Sequence, residues 1–189
     1  MRKEKINLYI LAGGKSSRMQ QDKSLMKLKG KSFLAHIIKA AKGLQLENTY
    51  IVGKQEKHAC FGLPVLEDIY KEIGPVGGIH TALKHCKKDL ALVVSCDVPL
   101  IKTEVLEKLI NNWEEGLDQI QYEYRSKAMP LVAIYKKNCL SQFKSAIEKN
   151  KLKLMAIVNQ LNNKTILANE EEGKSLTNIN TKLDLEKII

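Results

Sequence analysis

The sequence predicts a three-layer, doubly wound α/β fold on three observations. Apolar runs of strand length alternate with amphipathic helical stretches from residue 6 to about residue 113. Two of the runs, Ile6–Leu11 and Leu90–Ser95, are apolar almost throughout, as strands covered on both faces of a parallel sheet must be. The runs also end in glycine or acid, at Gly13 and Gly14, Gly53, Asp68 and Asp97. In such Rossmann-like sheets ligands bind at the carboxyl ends of the strands, so these four ends outline a site.

The first strand, carried by Ile6, Leu8, Tyr9, Ile10 and Leu11, empties into Ala12-Gly13-Gly14-Lys15-Ser16-Ser17-Arg18-Met19 and runs on to Asp22-Lys23. Two glycines let backbone N–H groups approach a ligand with no Cβ in the way. Lys15, Arg18 and Lys23 bring positive charge to where phosphates would lie, and an arginine can grip one bidentately. Composition alone also allows a glycine turn followed by a solvated basic loop. The stretch is not a P-loop, because Met19 stands five positions after Gly14, where that loop needs a glycine followed by Lys and Ser or Thr. Nor is it the dinucleotide fingerprint, since Gly13 and Gly14 are adjacent rather than alternating.

Ser24 to Lys31 alternates and turns at Gly30, predicting a short extended segment folded back under the loop. Ser32 caps a helix whose apolar stripe is Phe33, Ile37, Ala41 and Leu44. Thr49 to Val52 is a second strand ending at Gly53, residues 58–62 are a loop, and Leu63 to Leu66 is a third strand stopping at Glu67-Asp68. Gly74-Pro75-Val76-Gly77-Gly78 opens a helix through Ile79, Ala82, Leu83 and Cys86, presenting unpaired N–H donors at the positive end of its dipole. As pure structure that stretch is a turn and a cap. His80 and His85 read as ordinary helix residues.

Leu90–Ser95 is the most apolar strand and therefore central. Thr103 caps the next helix, with Val105, Leu106, Leu109, Ile110 and Trp113 on its buried side. Asp118 to Tyr124 and Ala128 to Tyr135 form two strands around the polar turn Arg125-Ser126-Lys127, adding an antiparallel strand to the mostly parallel sheet in its C-terminal half. Helices over about 137–149 and 151–161, an edge strand at 164–168 and a closing helix from Thr181 complete a single domain, 1–189.

Lys and Arg number 31 against 21 Asp and Glu, a net +10 that draws anionic ligands. Three Phe and one Trp leave little for base stacking, so nucleic acid is not the expected partner. No window approaches the roughly 18 apolar residues of a membrane span. The charged start leads into a run of only strand length, which is no signal peptide. A cytoplasmic chain without membrane contact is expected. Cys60, Cys86, Cys96 and Cys139 lack the spacing of a zinc or redox motif and should be reduced and mostly buried.

Asp97 is the sharpest single residue. A carboxylate at the mouth of a very apolar strand, fixed by Pro99, suits a hard cation such as magnesium; its plain structural role would be a turn aspartate. Asp68 is either a turn residue or an acceptor for a base or ribose. A glycine loop with cations and a metal carboxylate suit attack on a nucleotide α-phosphate, which needs positioning and charge neutralisation more than a protein nucleophile. No serine–histidine or cysteine–histidine arrangement is evident.

The string Leu11 to Met19 with Asp22-Lys23 resembles the signature of nucleotidyltransferases of the nucleotide-diphospho-sugar-transferase-like superfamily, and is most similar to that of the molybdenum cofactor guanylyltransferases. Leu66-Glu67-Asp68 with Gly74-Pro75-Val76-Gly77-Gly78 resembles the family's second motif, and Cys96-Asp97-Val98-Pro99 its metal motif. Pro130 to Tyr135 resembles the strand after the substrate region, and Thr177-Asn178-Ile179-Asn180-Thr181 the element before the last helix. The resemblance implies GMP transfer from GTP to the terminal phosphate of molybdopterin, with magnesium as cofactor and pyrophosphate released. It further implies cofactor-biosynthesis proteins or acceptor molybdoenzymes as protein partners.

Carried onto this sequence, Leu11, Ala12, Gly13, Gly14 and Lys15 would hold the nucleotide, with Gly53, Gly77 and Gly78 lining it. Arg18 and Lys23 would bind phosphates, Asp68 the guanosine and Asp97 the magnesium. Asn178 and Asn180 would lie towards the pterin. Gly53 falls where the family often has Asn, so any side-chain contact there is lost, and Gln20 stands where Gly is usual after Arg-Met, which leaves the details of guanine contact open. Two enzymatic alternatives are a sister enzyme using CTP on molybdopterin and one loading a sugar phosphate. A non-catalytic nucleotide-binding module would be expected to lack Asp97 or Lys23, and both are present.

Overall fold

The computed structural model describes residues 5–13 and 22–186. Strand β1 (Ile6–Leu11) is followed by a small hairpin, β2 (Lys27–Leu28) and β3 (Lys31–Ser32), and by helix α1 (Phe33–Gly43). Next come β4 (Thr49–Val52), the one-turn helix α2 (Gln55–His58), β5 (Val65–Leu66), α3 (Pro75–His85) and β6 (Leu90–Ser95). Helix α4 (Thr103–Asn111) leads to the pair β7 (Gln119–Tyr124) and β8 (Lys127–Lys136). The rest is α5 (Leu140–Glu148), α6 (Leu154–Val158), β9 (Asn163–Leu167), α7 (Glu170–Ser175) and α8 (Lys182–Glu186).

Seven strands form one sheet in the order β5-β4-β1-β6-β8-β7-β9. All run parallel except β8, which is antiparallel to both β6 and β7. The most apolar strand, β6, stands in the middle as predicted. Alternation decides the two faces. Ile6, Leu8, Ile10, Leu92 and Val94 pack with α1 and α4 residues such as Leu34, Ile37, Leu106 and Leu109. Tyr9, Leu11, Ala91 and Val93 pack with Val76, Ile79 and Leu83 of α3 and Phe143 of α5. Helices on both faces make the three layers.

Local chemistry explains most of the element ends. Ser32 Oγ accepts the Ala35 N–H at 3.2 Å, the predicted cap of α1. The hairpin turn Arg125-Ser126 has φ of +50° and +59°, the pair of left-handed residues that a two-residue turn requires. The third strand is shorter than predicted, because Pro64 has no N–H to donate and only its carbonyl joins the sheet, to Ile51 N–H at 2.9 Å. Thr103 does not cap α4. Lys102 occupies that position, and the Thr103 hydroxyl instead donates to Ala40 O of α1 at 2.9 Å, locking the two helices together. The helices expected over 137–149 and 151–161 are real but shorter, starting with a 3-10 turn at Lys137–Cys139.

Strand β8 overshoots the end of β6, since Val132 already faces Val94. Along β7 the register jumps from Gln121↔Ala133 to Tyr122↔Met129, so Pro130 to Val132 loop out of that ladder. A proline is tolerated at such a bulge. Tyr135 Oη ties it down by donating to Pro130 O at 2.7 Å.

Candidate active site

Beyond their last paired residues, β1, β4, β5 and β6 stay knitted together along one edge. Ala12 N–H donates to Val52 O at 2.8 Å, Gly53 N–H to Leu66 O at 2.8 Å and Cys96 N–H to Leu11 O at 3.0 Å. Gly13, Gly53, Asp68 and Asp97 therefore line the same edge of the sheet. Gly14, Lys15 and Arg18 lie outside the described residues.

Asp68 rests against a bare backbone: a Cβ on Gly13 would lie 3.1 Å from its Oδ2. Among the described residues, its other oxygen has only a long contact from the Thr81 hydroxyl, 3.5 Å, while Thr81 Oγ1 accepts the Ile69 N–H at 3.1 Å. Burial raises its pKa and the Thr81 contact counters this only in part. The result is a carboxylate short of donors among the described residues. A ligand bearing N–H groups would supply them.

Asp97 follows β6, and its carbonyl accepts the Ile179 N–H at 2.8 Å, drawing the C-terminal segment over the site. Its Oδ1 is buried and has no hydrogen-bond partner among the described residues. An anionic oxygen left without a proton donor suits a hard cation. Among the described residues no cluster of three or more His, Cys, Asp or Glu surrounds it. A cation here fits the magnesium pattern of one carboxylate completed by substrate phosphates and water. The neighbouring Cys96 thiol is pushed up to about 12 by burial, with the Asp97 and Asp22 charges adding to it, so it stays protonated and is no nucleophile.

The C-terminal segment also reaches the other end of the signature loop. Lys23 Nζ donates to Asn180 Oδ1 at 2.6 Å, whereas Asn178 is exposed. Gly77 and Gly78 are both buried, and the Gly77 N–H donates to Gly74 O at 3.1 Å. Their observed role is close packing. A Cβ on Gly77 would sit 2.8 Å from Tyr70 O, and one on Gly78 3.3 Å from the Leu11 side chain.

Sequence reasoning missed one group altogether. His58 was expected in a loop, yet it ends α2 and is only 1% exposed. Its Nδ1 accepts the Lys54 N–H at 3.0 Å, and its Nε2 lies 2.9 Å from Ser24 Oγ. That hydroxyl donates to Asp22 Oδ1 at 2.6 Å, and Lys57 Nζ pairs with Asp22 Oδ2 at 3.0 Å. Burial pushes the Asp22 pKa up, but Ser24 and Lys57 together outweigh it and hold the carboxyl below its ordinary range. The legible signal was Gly53: a Cβ there would fall 2.5 Å from His58 Nδ1. The imidazole fills the space that a side chain at position 53 would take.

The family described as the MobA-like NTP transferase domain matches residues 8–165. A probable molybdenum cofactor guanylyltransferase from Flavobacterium johnsoniae is 36% identical over 185 residues, covering 98% of this chain and 97% of that one. Another probable member, from Clostridium perfringens, is 37% identical over 188 residues, covering 95% of this chain and 94% of that one. The chain belongs to the molybdenum cofactor guanylyltransferases. As a member of that family it is a nucleotidyltransferase of molybdenum cofactor biosynthesis. Molybdopterin-guanine dinucleotide biosynthesis protein A from Archaeoglobus fulgidus superimposes with a TM-score of 0.81 at 26% identity, covering 96% of this chain and 95% of that one. A Methanothermobacter nucleotidyl transferase, 16% identical, has the same fold at a TM-score of 0.75 over 97% of this chain and 95% of its own. No described helix of this guanylyltransferase-family chain is long and apolar enough to cross a membrane.

Proposed function

We propose that this chain, as one nucleotidyltransferase domain over 1–189, transfers GMP from GTP to the terminal phosphate of molybdopterin. An oxygen of that phosphate attacks the α-phosphorus, the bond to the β-phosphate bridge breaks, and pyrophosphate leaves. The observation that carries this reading is the buried Oδ1 of Asp97, without a hydrogen-bond partner among the described residues, at the carboxyl edge that also holds Gly13 and Asp68. Leu11, Ala12 and Gly13 offer backbone to the nucleotide, and Lys23, with Lys15 and Arg18 of the same loop, neutralises its phosphates. Asp68 accepts from the N–H groups on the guanine edge, which adenine does not offer there. Asp97 would hold magnesium, which when bound lowers the cost of negative charge on the α-phosphate and the departing pyrophosphate. Asn178 and Asn180 stand on the side taken by the pterin. The dinucleotide product would pass to cofactor-biosynthesis proteins or acceptor molybdoenzymes.

The deciding experiment supplies each labelled nucleoside triphosphate with magnesium and molybdopterin, and looks for dinucleotide. GTP should give product, and calorimetry should rank GTP above ATP and CTP. Losing the hydrogen bonds to Asp68 costs about 1.5–3 kcal/mol, so the preference over ATP should be tenfold or more. Incorporation of CMP instead, or equal affinity for all three nucleotides, would move the chain to the cytidylyl branch.

A further inference from the structure

We propose that His58 is a positioning residue, holding the Asp22–Ser24 turn so that the Lys23 ammonium stands where a phosphate arrives. The inference rests on the reading of Lys23 as a phosphate-binding residue. Two arms run from the single turn of α2 to that segment. A backbone N–H can only donate, so Lys54 forces His58 Nδ1 to accept and leaves the ring proton on Nε2. Nε2–H then donates to Ser24 Oγ, and the Ser24 hydroxyl, its lone pair taken, gives its own proton to Asp22 Oδ1. The second arm is Lys57, next to His58, on Asp22 Oδ2.

Both oxygens of Asp22 are thus held by one helical turn, and the direction of each hydrogen follows from one amide. Lys23, between Asp22 and Ser24, has a fixed root. Its ammonium reaches the neutral amide of Asn180 at 2.6 Å, a partner that orients it without cancelling its charge. Gly53 makes room for the imidazole, with Ala12 on its other side at 3.4 Å from a would-be Cβ. The ring therefore couples the end of β4 to the end of the signature loop.

Geometry also sets a pH dependence. A second proton on the ring must go to Nδ1, where the Lys54 N–H already points. Among the described residues, the charged groups facing the ring are Asp22 and Lys57. Burial lowers the His58 pKa, and Asp22 opposes that only in part. A depressed folded-state value means that the neutral ring's contribution is whole above its ordinary 6.5 and is lost as pH falls through the lower, folded value.

GTP affinity by calorimetry tests the assignment. Lys23→Ala should weaken binding about tenfold or more. His58→Leu should lose about as much, and the double variant should bind no worse than Lys23→Ala alone. Ser24→Ala cuts the relay with little change in volume and should cost about three- to tenfold. In acid, wild-type affinity should fall through the His58 transition, whereas His58→Gln, which keeps a donor towards Ser24 and does not titrate, should stay flat. Should Lys23→Ala bind GTP normally, the phosphate reading of that lysine fails. A weakened Lys23→Ala beside a normal Ser24→Ala or His58→Leu overturns the positioning role alone. Losses that multiply in full in the double variant also overturn it, and Ser24→Ala decides the matter if His58→Leu does not fold.

Discussion

Asp97→Asn should cut turnover by about two to three orders of magnitude or more while leaving the fold intact. The side chain keeps its shape and loses only its charge, and that charge sits on a buried oxygen that no described donor satisfies. Folding gains nothing from such an oxygen, so the variant should melt at the wild-type temperature or above it. In the proposed reaction, the chemistry depends on it. A metal held there is worth several kcal/mol at the transition state, and each 1.36 kcal/mol is tenfold in rate, so product formation should drop about 10²–10³-fold or more. GTP binding should suffer less, because Lys23 and the glycine loop remain. Single-turnover product formation, calorimetry and a thermal melt separate these effects. Near-normal turnover with magnesium would remove Asp97 from the mechanism, and a variant that failed to fold would make it a structural turn residue.

Gly53→Asn should be the most damaging small change at the site. The first added atom would meet His58 Nδ1 at 2.5 Å and Cε1 at 2.7 Å, and the ring cannot swing aside without giving up Lys54 and Ser24. Overpacking of a filled space costs about 1–3 kcal/mol. For a chain of this size that lowers Tm by roughly 2–12 °C. GTP affinity should fall with it, since the displaced imidazole releases the Lys23 turn. Adding His58→Ala to Gly53→Asn should return most of the lost Tm, because the space is freed again. An unchanged Tm in Gly53→Asn would show that the ring has slack, and a double variant no better than the single would place the clash elsewhere.

How much of this was legible in the sequence depends on the range of the signal. β1 and β6 were visible because burial on both faces writes unbroken apolar runs, and their glycine and acidic ends marked the edge that holds Gly13, Gly53, Asp68 and Asp97. The cap at Ser32 was visible because its partner is three residues away. Thr103 has the right residue type beside a helix start, yet its hydroxyl finds Ala40, 63 positions earlier, and no local pattern reports that. His58 was hidden for a related reason. A one-turn helix has no periodicity to show which face is buried, and besides Lys54 the imidazole's hydrogen-bond partner among the described residues is Ser24, 34 positions away. The roles given to Asp68, Asp97, Lys23 and the two asparagines remain those of the proposed reaction, tested by the variants above.

The contact between Lys23 and Asn180 also sets an order in time. These residues are 157 positions apart, so a ribosome adding about 5–20 residues per second needs about 8–30 s to make the second after the first. By then β1, β4, β5 and β6, which the sheet joins directly, have all been synthesised and can pair. The lysine waits longest for its amide, and Asp97 waits about half as long for the Ile179 N–H that closes over its carbonyl. A nascent chain halted before that point would carry the sheet and its glycine edge but not the segment that completes the site. In the proposed reaction, the full set of groups that holds the nucleotide's phosphates therefore waits for the segment around Asn180, made well after the first four strands of the sheet.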